Sequence, residues 1–399
     1  MCNTKVLIST VNKTSETYNM KYERSEEHEL IRDSIKNYLD SEVAPYVDEF
    51  ESKGEFPDAI FRELMGMGYL STLLSEEYGG GGHDFFATAV VGEELAKCCG
   101  GLHTSVGGHI FCQHWIDMFG TKEQKDKFLP MLSNGGSIGA IAITEPDAGS
   151  NVAGIKTRAV EQDDHFVLTG NKIFITNGNV ADVICVMVVT DPDSRPTGIS
   201  TFIFETVTPG FQAGRPMKKL GNKCSPTCEL SFDNCKVPKE NLLGTKHRSL
   251  QETMEFFSYE RVSVAIGCGA VIEACMDACI DYSKERIQFD VPIASFQGIQ
   301  EMIAEMGTDT YAIRCMAVDL MTKMEQGQYD VTKASMLKAF ASEVVNKHTS
   351  NAIQIFGGAG YTQEYPVERY YRDARVWSIG GGTTQIQNRL IARDLMSRR

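Results

Sequence analysis

At 399 residues, with 42% hydrophobic and 23% charged side chains, the chain is too long for one ordinary core and reads as two or three packed globular units. A net charge of -14 with a pI near 5.1 excludes a protein that coats nucleic acid or anionic lipid, and no apolar run reads as long enough to cross a bilayer. Twelve cysteines are diluted through the chain with no secretory leader, and neither Cys224/Cys228 nor Cys275/Cys279 has a second Cys/His pair at zinc-site spacing, so reduced thiols in a cytoplasmic setting are expected and no metal is implied.

Residues 1–20 read as an N-terminal extension. The first nineteen are polar and lack Arg, unlike a transit peptide, and Met20 is a candidate start. Residues 21–135 are patterned as helices, as in Leu30-Ile31…Ile35…Tyr38-Leu39 and in Ile60–Met65 after Phe56-Pro57-Asp58. The Gly79–Gly82 run interrupts them as a loop and lacks the following Lys-Ser or Lys-Thr of a phosphate loop. Helical spacing resumes over Ala87–Ala96.

Residues 136–245 change to short β-type runs: Ile141–Ile143, His165–Leu168, Lys172–Thr176, Val183–Val189 and Ser200–Phe204. Thr169-Gly170-Asn171 and Asn177-Gly178-Asn179 read as turns between them. Strands without intervening helices predict an antiparallel barrel or sandwich, and no Gly-x-Gly-x-x-Gly opens a helix. Residues 246–399 are helical again, broken at Gly357-Gly358-Ala359-Gly360 and Gly380-Gly381-Gly382. The expected class is α+β, mostly α, ordered helical, β, helical.

In the last of these segments lies Phe256-Phe257-Ser258-Tyr259-Glu260-Arg261-Val262-Ser263-Val264. On a helix, Glu260 shares a face with Phe256, Phe257, Ser263, Val264 and Gly267. Two readings stand on these residues alone. Either Glu260 and Arg261 solvate a helix edge, or burial raises the carboxyl pKa and makes a base of it.

Three further motifs occur in order: Thr144-Glu145-Pro146-Asp147-Ala148-Gly149-Ser150; Gln354-Ile355-Phe356-Gly357-Gly358-Ala359-Gly360-Tyr361 continuing through Glu364 to Arg372-Asp373; and Gly382-Thr383-Thr384-Gln385-Ile386-Gln387. Together they closely resemble the acyl-CoA dehydrogenase family, from about residue 22 to residue 396. The resemblance implies a β-barrel-like middle domain, a C-terminal four-helix bundle, and FAD between them, partly bridging two subunits of a homotetramer. Carried over, Ile143 and Thr144 line the flavin, Ser150 sits by the pyrophosphate and the CoA arm, Phe174 packs on the ring and Thr176 approaches N5. Arg286, Gln288 and Phe289 match a second-subunit contact, with Gln354, Gly357, Gly358, Thr383 and Gln385 completing the clamp.

Three positions depart from the family pattern. Asn151 replaces an Asp and Asp290 a common Gly. Gly381 stands where many members carry the catalytic Glu. A smaller group, including isovaleryl- and long-chain-type dehydrogenases, takes the base from the mid-chain helix just before an Arg, which here is Glu260. The resemblance then implies that Glu260 removes the α-proton of an acyl-CoA, that the Gly381 N–H holds the thioester oxygen, and that the β-hydride passes to flavin N5. Gly380, Phe257, Tyr259, Arg261 and His109 are expected beside a branched, cyclic or medium-to-long acyl group. An electron-transferring flavoprotein is the implied acceptor. An acyl-CoA oxidase or a non-dehydrogenating flavin-binding relative are the alternatives.

Overall fold

The computed structural model of the chain describes residues 24–194 and 197–397, so the expected extension over residues 1–20 lies outside them. The N-terminal helices are α1 Glu26–Tyr38, α2 Val47–Lys53, α3 Asp58–Gly66, α4 Phe85–Cys98, α5 Gly100–Phe119 and α6 Lys122–Ser133. Their starts are encoded locally. Ser25 and Thr121 form capping boxes with His28 and Gln124, and the Asp84 carboxylate accepts the Ala87 N–H at the head of α4. Between α3 and α4 the glycine run is a loop crowded at Gly79–Gly81: a Cβ at Gly80 would stand 2.2 Å from the Leu74 carbonyl oxygen.

The middle strands are β1 Gly139–Ala142, β2 Arg158–Glu161, β3 His165–Thr176, β4 Val183–Val189, β5 Ile199–Glu205, β6 Phe211–Ala213, β7 Thr227–Pro238 and β8 Leu242–Leu243. They pair in the order β6-β7-β3-β2-β4-β5-β8, with β1 beside β4. Most pairs are antiparallel, but β1 and β2 both run parallel to β4. The two strands expected around Thr169-Gly170-Asn171 are one. β3 passes straight through, and a register shift between Leu168 and Gly170 marks a bulge where a turn was expected. Gly170 takes φ 150° there, and a Cβ on it would lie 2.5 Å from Thr157 Oγ1. Asn177 does turn the chain, at φ 62°, and its amide donates to the Ser105 carbonyl (2.8 Å), tying the end of β3 to α5.

The C-terminal helices are α7 Ser249–Glu285, α8 Gln297–Met324, α9 Val331–Phe356, α10 Val367–Ala374 and α11 Thr384–Ser397, with a hairpin of β9 Ile287–Gln288 and β10 Val291–Pro292 after α7. Against expectation, α7 is apolar enough to cross a membrane by composition, with an 18-residue window of mean hydropathy 1.7. It is instead the core of a bundle. Packed against α4, α8 and α9, it buries Val262, Ile266, Val271 and Ile272 with Ile313, Leu320, Leu337 and Val345.

One buried ion pair fixes the loop that leaves β1. Lys172 Nζ, fully buried on β3, donates to Glu145 Oε1 (2.8 Å) and to the Ile143 carbonyl (2.9 Å). Glu145 also accepts the N–H groups of Lys156 (2.5 Å) and Thr157 (2.9 Å), while the Thr144 carbonyl accepts the Ile173 N–H (2.9 Å). Burial lowers the Lys172 pKa to about 8 against the pull of Glu145, so the ammonium depends on its partner for its charge. Removing one member strands the other. Lys172→Met should therefore lower unfolding stability by about 3–5 kcal/mol in denaturant titration, and adding Glu145→Gln should recover part of that loss. A single-variant loss under about 1 kcal/mol would show that the pair does not hold the loop.

Candidate active site

Because α7 runs through the middle of the bundle, both charged residues of its central turn are covered: Glu260 is 7% exposed and Arg261 2%. The helix-edge reading is therefore overturned. Burial raises the Glu260 pKa, opposed by the charges of Arg261 and Lys338, and its Oε2 has no hydrogen-bond partner. The Arg261 guanidinium lies over the Phe257 ring (5.5 Å), with Nε and Nη1 unpartnered.

The Glu260 carboxylate fills the space in front of Gly381. A Cβ at Gly381 would lie 2.5 Å from Oε1 and 2.9 Å from Oε2, and Gly381 has φ 63°. Glycine is required there on both counts. Gly382 is constrained in the same way, by φ 91° and by Gln387 Nε2, 2.9 Å from where its Cβ would stand. Gly380 differs. It is exposed, its φ is not positive, and the nearest atom to a Cβ there is the Val376 carbonyl oxygen at an ordinary 3.7 Å.

The loop is held from two sides. Gln387 Nε2, on α11, donates to the carbonyls of Gly381 (3.0 Å) and Gly382 (3.1 Å), and Lys338 Nζ, on α9, donates to Gly382 (2.6 Å). Among the described residues nothing accepts the Gly381 N–H. The arrangement thus offers an unpartnered carboxylate oxygen and an unpartnered N–H side by side.

Two expected substrate contacts are placed otherwise. The Tyr259 ring is buried between Phe85 (5.5 Å), Phe111 (5.9 Å) and His114 (4.3 Å), a core contact. His109 is fully buried, with Nδ1 accepting the Gly139 N–H (2.9 Å) and Nε2 2.8 Å from the Gln113 amide. Burial lowers its pKa to about 3, so it is a neutral strut between α5 and β1. Phe257 is half-buried beside Arg261.

The expected cofactor residues fall into three places. The Thr144 carbonyl bond to Ile173 brings Ile143 and Thr144 beside the end of β3, where Phe174 is 63% exposed at φ 60° and Thr176 abuts Gly108. Ser150 is exposed on the same loop. At the end of α9, Gln354, Gly357 and Gly358 are exposed, and no atom lies within 4 Å of a Cβ on either glycine. Thr383 accepts the Ile386 N–H at the head of α11 (3.3 Å), beside exposed Gln385. A bare glycine backbone with neutral hydroxyls and amides fits a pyrophosphate, and an exposed aromatic with a neighbouring hydroxyl fits a flat ring, so these residues fit FAD.

Arg286, Gln288 and Phe289 stand apart. They lie in or beside the hairpin after α7, and at 1.5 Å per residue along that helix Arg286 is roughly 39 Å from Glu260. Phe289 and Asp290 form the two-residue turn with φ 53° and 62°, and Phe289 is 88% exposed. Positive φ at both positions is the geometry of a type I′ hairpin, which tolerates Asp and accounts for Asp290 in place of Gly. Within one chain this group does not meet the Glu260 site.

Sequence reasoning missed Lys338, Gln387 and the Glu145–Lys172 pair as site supports. A signal existed for two of them. Lys338 lies in the buried row of α9 with Ala334 and Ala341, and Lys172 has the inward phase of Phe166 and Leu168 on β3.

Comparison with known proteins places the chain in a family. Family models described as the N-terminal, middle and C-terminal domains of acyl-CoA dehydrogenase match residues 25–136, 140–235 and 250–396. An acyl-CoA dehydrogenase of Bacillus subtilis is 36% identical over 378 residues, covering 93% of this chain and 98% of that protein. Butyryl-CoA dehydrogenase from Megasphaera elsdenii superposes with a TM-score of 0.91 at 35% identity, over 94% of this chain and 100% of the other. A glutaryl-CoA dehydrogenase from Mycobacterium smegmatis, solved in complex with FADH2, superposes at 0.88 with 27% identity, over 94% and 95% of the two chains. The chain belongs to the acyl-CoA dehydrogenase family of FAD-dependent oxidoreductases.

Proposed function

We infer that the chain dehydrogenates an acyl-CoA thioester between its α- and β-carbons, with Glu260 as the base. The observation that carries this is the buried Glu260 carboxylate, its Oε2 without a hydrogen-bond partner, pressed against a glycine whose N–H has no acceptor among the described residues. An α-C–H beside a thioester is a weak acid, so removing its proton needs a base poised near neutral pH and a donor for the charge that develops on the oxygen. Glu260 Oε2 supplies the lone pair. Once protonated, the neutral acid is the form that burial favours. The Gly381 N–H supplies the oxyanion donor, and the loop that carries it is held by Gln387 and Lys338 through the carbonyls of Gly381 and Gly382. FAD, when bound, supplies the acceptor for the β-hydride. Ile143, Thr144, Phe174 and Thr176 would hold its ring end, and Ser150, Gln354, Gly357, Gly358, Thr383 and Gln385 the remainder.

The separation of Arg286, Gln288 and Phe289 from Glu260 supports a second copy of the chain completing the cofactor site, in a dimer or a dimer of dimers. Electron-transferring flavoprotein is the acceptor that the family resemblance supports. A branched or cyclic acyl group is supported by Gly380. Neither φ nor crowding demands glycine there, so its missing side chain leaves space for substrate atoms.

Anaerobic mixing with straight, branched, alicyclic and dicarboxylic acyl-CoAs should bleach the flavin band for at least one thioester; bleaching by none would contradict dehydrogenation. Glu260→Gln should keep FAD and bind acyl-CoA but lose at least about 10²-fold in reduction rate, and full activity would remove Glu260 as base. The base acts deprotonated and its pKa is raised, so the reduction rate should fall with pH through a limb above the usual carboxylate range. A limb in that ordinary range would mean that burial does not tune Glu260. Gly380→Tyr should depress turnover of branched more than of straight thioesters, and equal effects would place Gly380 outside the pocket.

A further inference from the structure

Lys338 is fully buried on α9, yet among the described residues no carboxylate lies within 4.0 Å of its ammonium. Its one hydrogen bond goes to the Gly382 carbonyl (2.6 Å). An ammonium withdrawn from water without a contact partner is costly, and burial lowers its pKa. The charged and titratable groups that act on it are Glu260, Cys268 and Arg261 from α7 and Glu343 from its own helix. Of these, Glu260 is the reacting group.

We propose that Lys338 is a positioning residue for the dehydrogenation: by holding the Gly382 carbonyl it fixes the loop that presents the Gly381 N–H to the substrate oxygen, and its charge keeps Glu260 ionised until substrate arrives. The inference rests on Glu260 being the base. Burial favours the protonated carboxyl, which cannot take a second proton, whereas too much cationic help would make Glu260 a poor base. Arg261 is bound to the Phe257 face on the same helix. Lys338 comes from another helix, bonds the oxyanion loop directly and acts on the base through its charge, which couples the two halves of the site.

Three variants separate charge from hydrogen bond. Lys338→Met removes both, Lys338→Gln keeps a donor for Gly382, and Lys338→Arg keeps the charge. The titration of the Glu260 carboxyl is read by infrared difference spectroscopy of the FAD-loaded protein against Glu260→Gln, which needs no turnover. Its midpoint should rise by about one pH unit or more in both Lys338→Met and Lys338→Gln, and should stay in place in Lys338→Arg. At a pH above every midpoint, Lys338→Gln should keep most of kcat while Lys338→Met loses about tenfold, the cost of the missing loop bond. An unmoved Glu260 midpoint in both neutral variants, with FAD bound, would overturn the proposal. Because that midpoint is independent of turnover, flavin that no thioester bleaches would overturn the dehydrogenation reading and leave the Lys338 result standing on its own evidence.

Discussion

The Glu260 carboxylate and a side chain at position 381 cannot occupy the same space, and the rest of the site follows from that exclusion. With a would-be Cβ 2.5 Å from Oε1 and φ 63°, the loop must carry glycine at this position. In the proposed mechanism the base then comes from the middle of a helix, and the Gly381 loop contributes backbone alone. A helix deep in a bundle is a more rigid platform than a loop, and its cost is that the carboxylate must live without water.

That cost explains the electrostatics around it. Two cations, Arg261 and Lys338, oppose the effect of burial on Glu260, and among the described residues neither has a carboxylate within 4.0 Å. The middle domain uses the opposite arrangement. Lys172 and Glu145 meet at 2.8 Å, and the carboxylate is saturated by two backbone N–H groups, which suits a structural bolt. Contact pairing locks a loop, whereas charges held further apart leave the carboxylate free to exchange a proton.

Much of this was legible in the chain. The helical and β segments follow from period-3.6 and period-2 patterning, and the motifs around Thr144, Gln354 and Thr383 pointed to the family. Glu260 was legible through two coincident facts, its apolar helical neighbours and the glycine at 381. What escaped was three-dimensional. The turn expected at Gly170 is a bulge because β7 continues to pair across it, a long-range fact that local turn chemistry does not report. The family resemblance put Tyr259 and His109 beside the acyl group, but packing takes both into the core. Lys338 shares the buried row of α9 with Ala334 and Ala341, which marks it as inward-facing, but the Gly382 carbonyl that it bonds is distant in sequence, and local pattern does not report it.

The central claim is that Glu260 and Gly381 flank the reacting α-carbon from opposite roles. It is tested most directly by a crystal structure of Glu260→Gln with FAD and a substrate acyl-CoA bound. The account predicts the residue 260 amide about 3–3.5 Å from the α-carbon, and the thioester oxygen about 3 Å from the Gly381 nitrogen. A thioester whose α-carbon faces another acidic or basic side chain, with Glu260 out of reach, would contradict it.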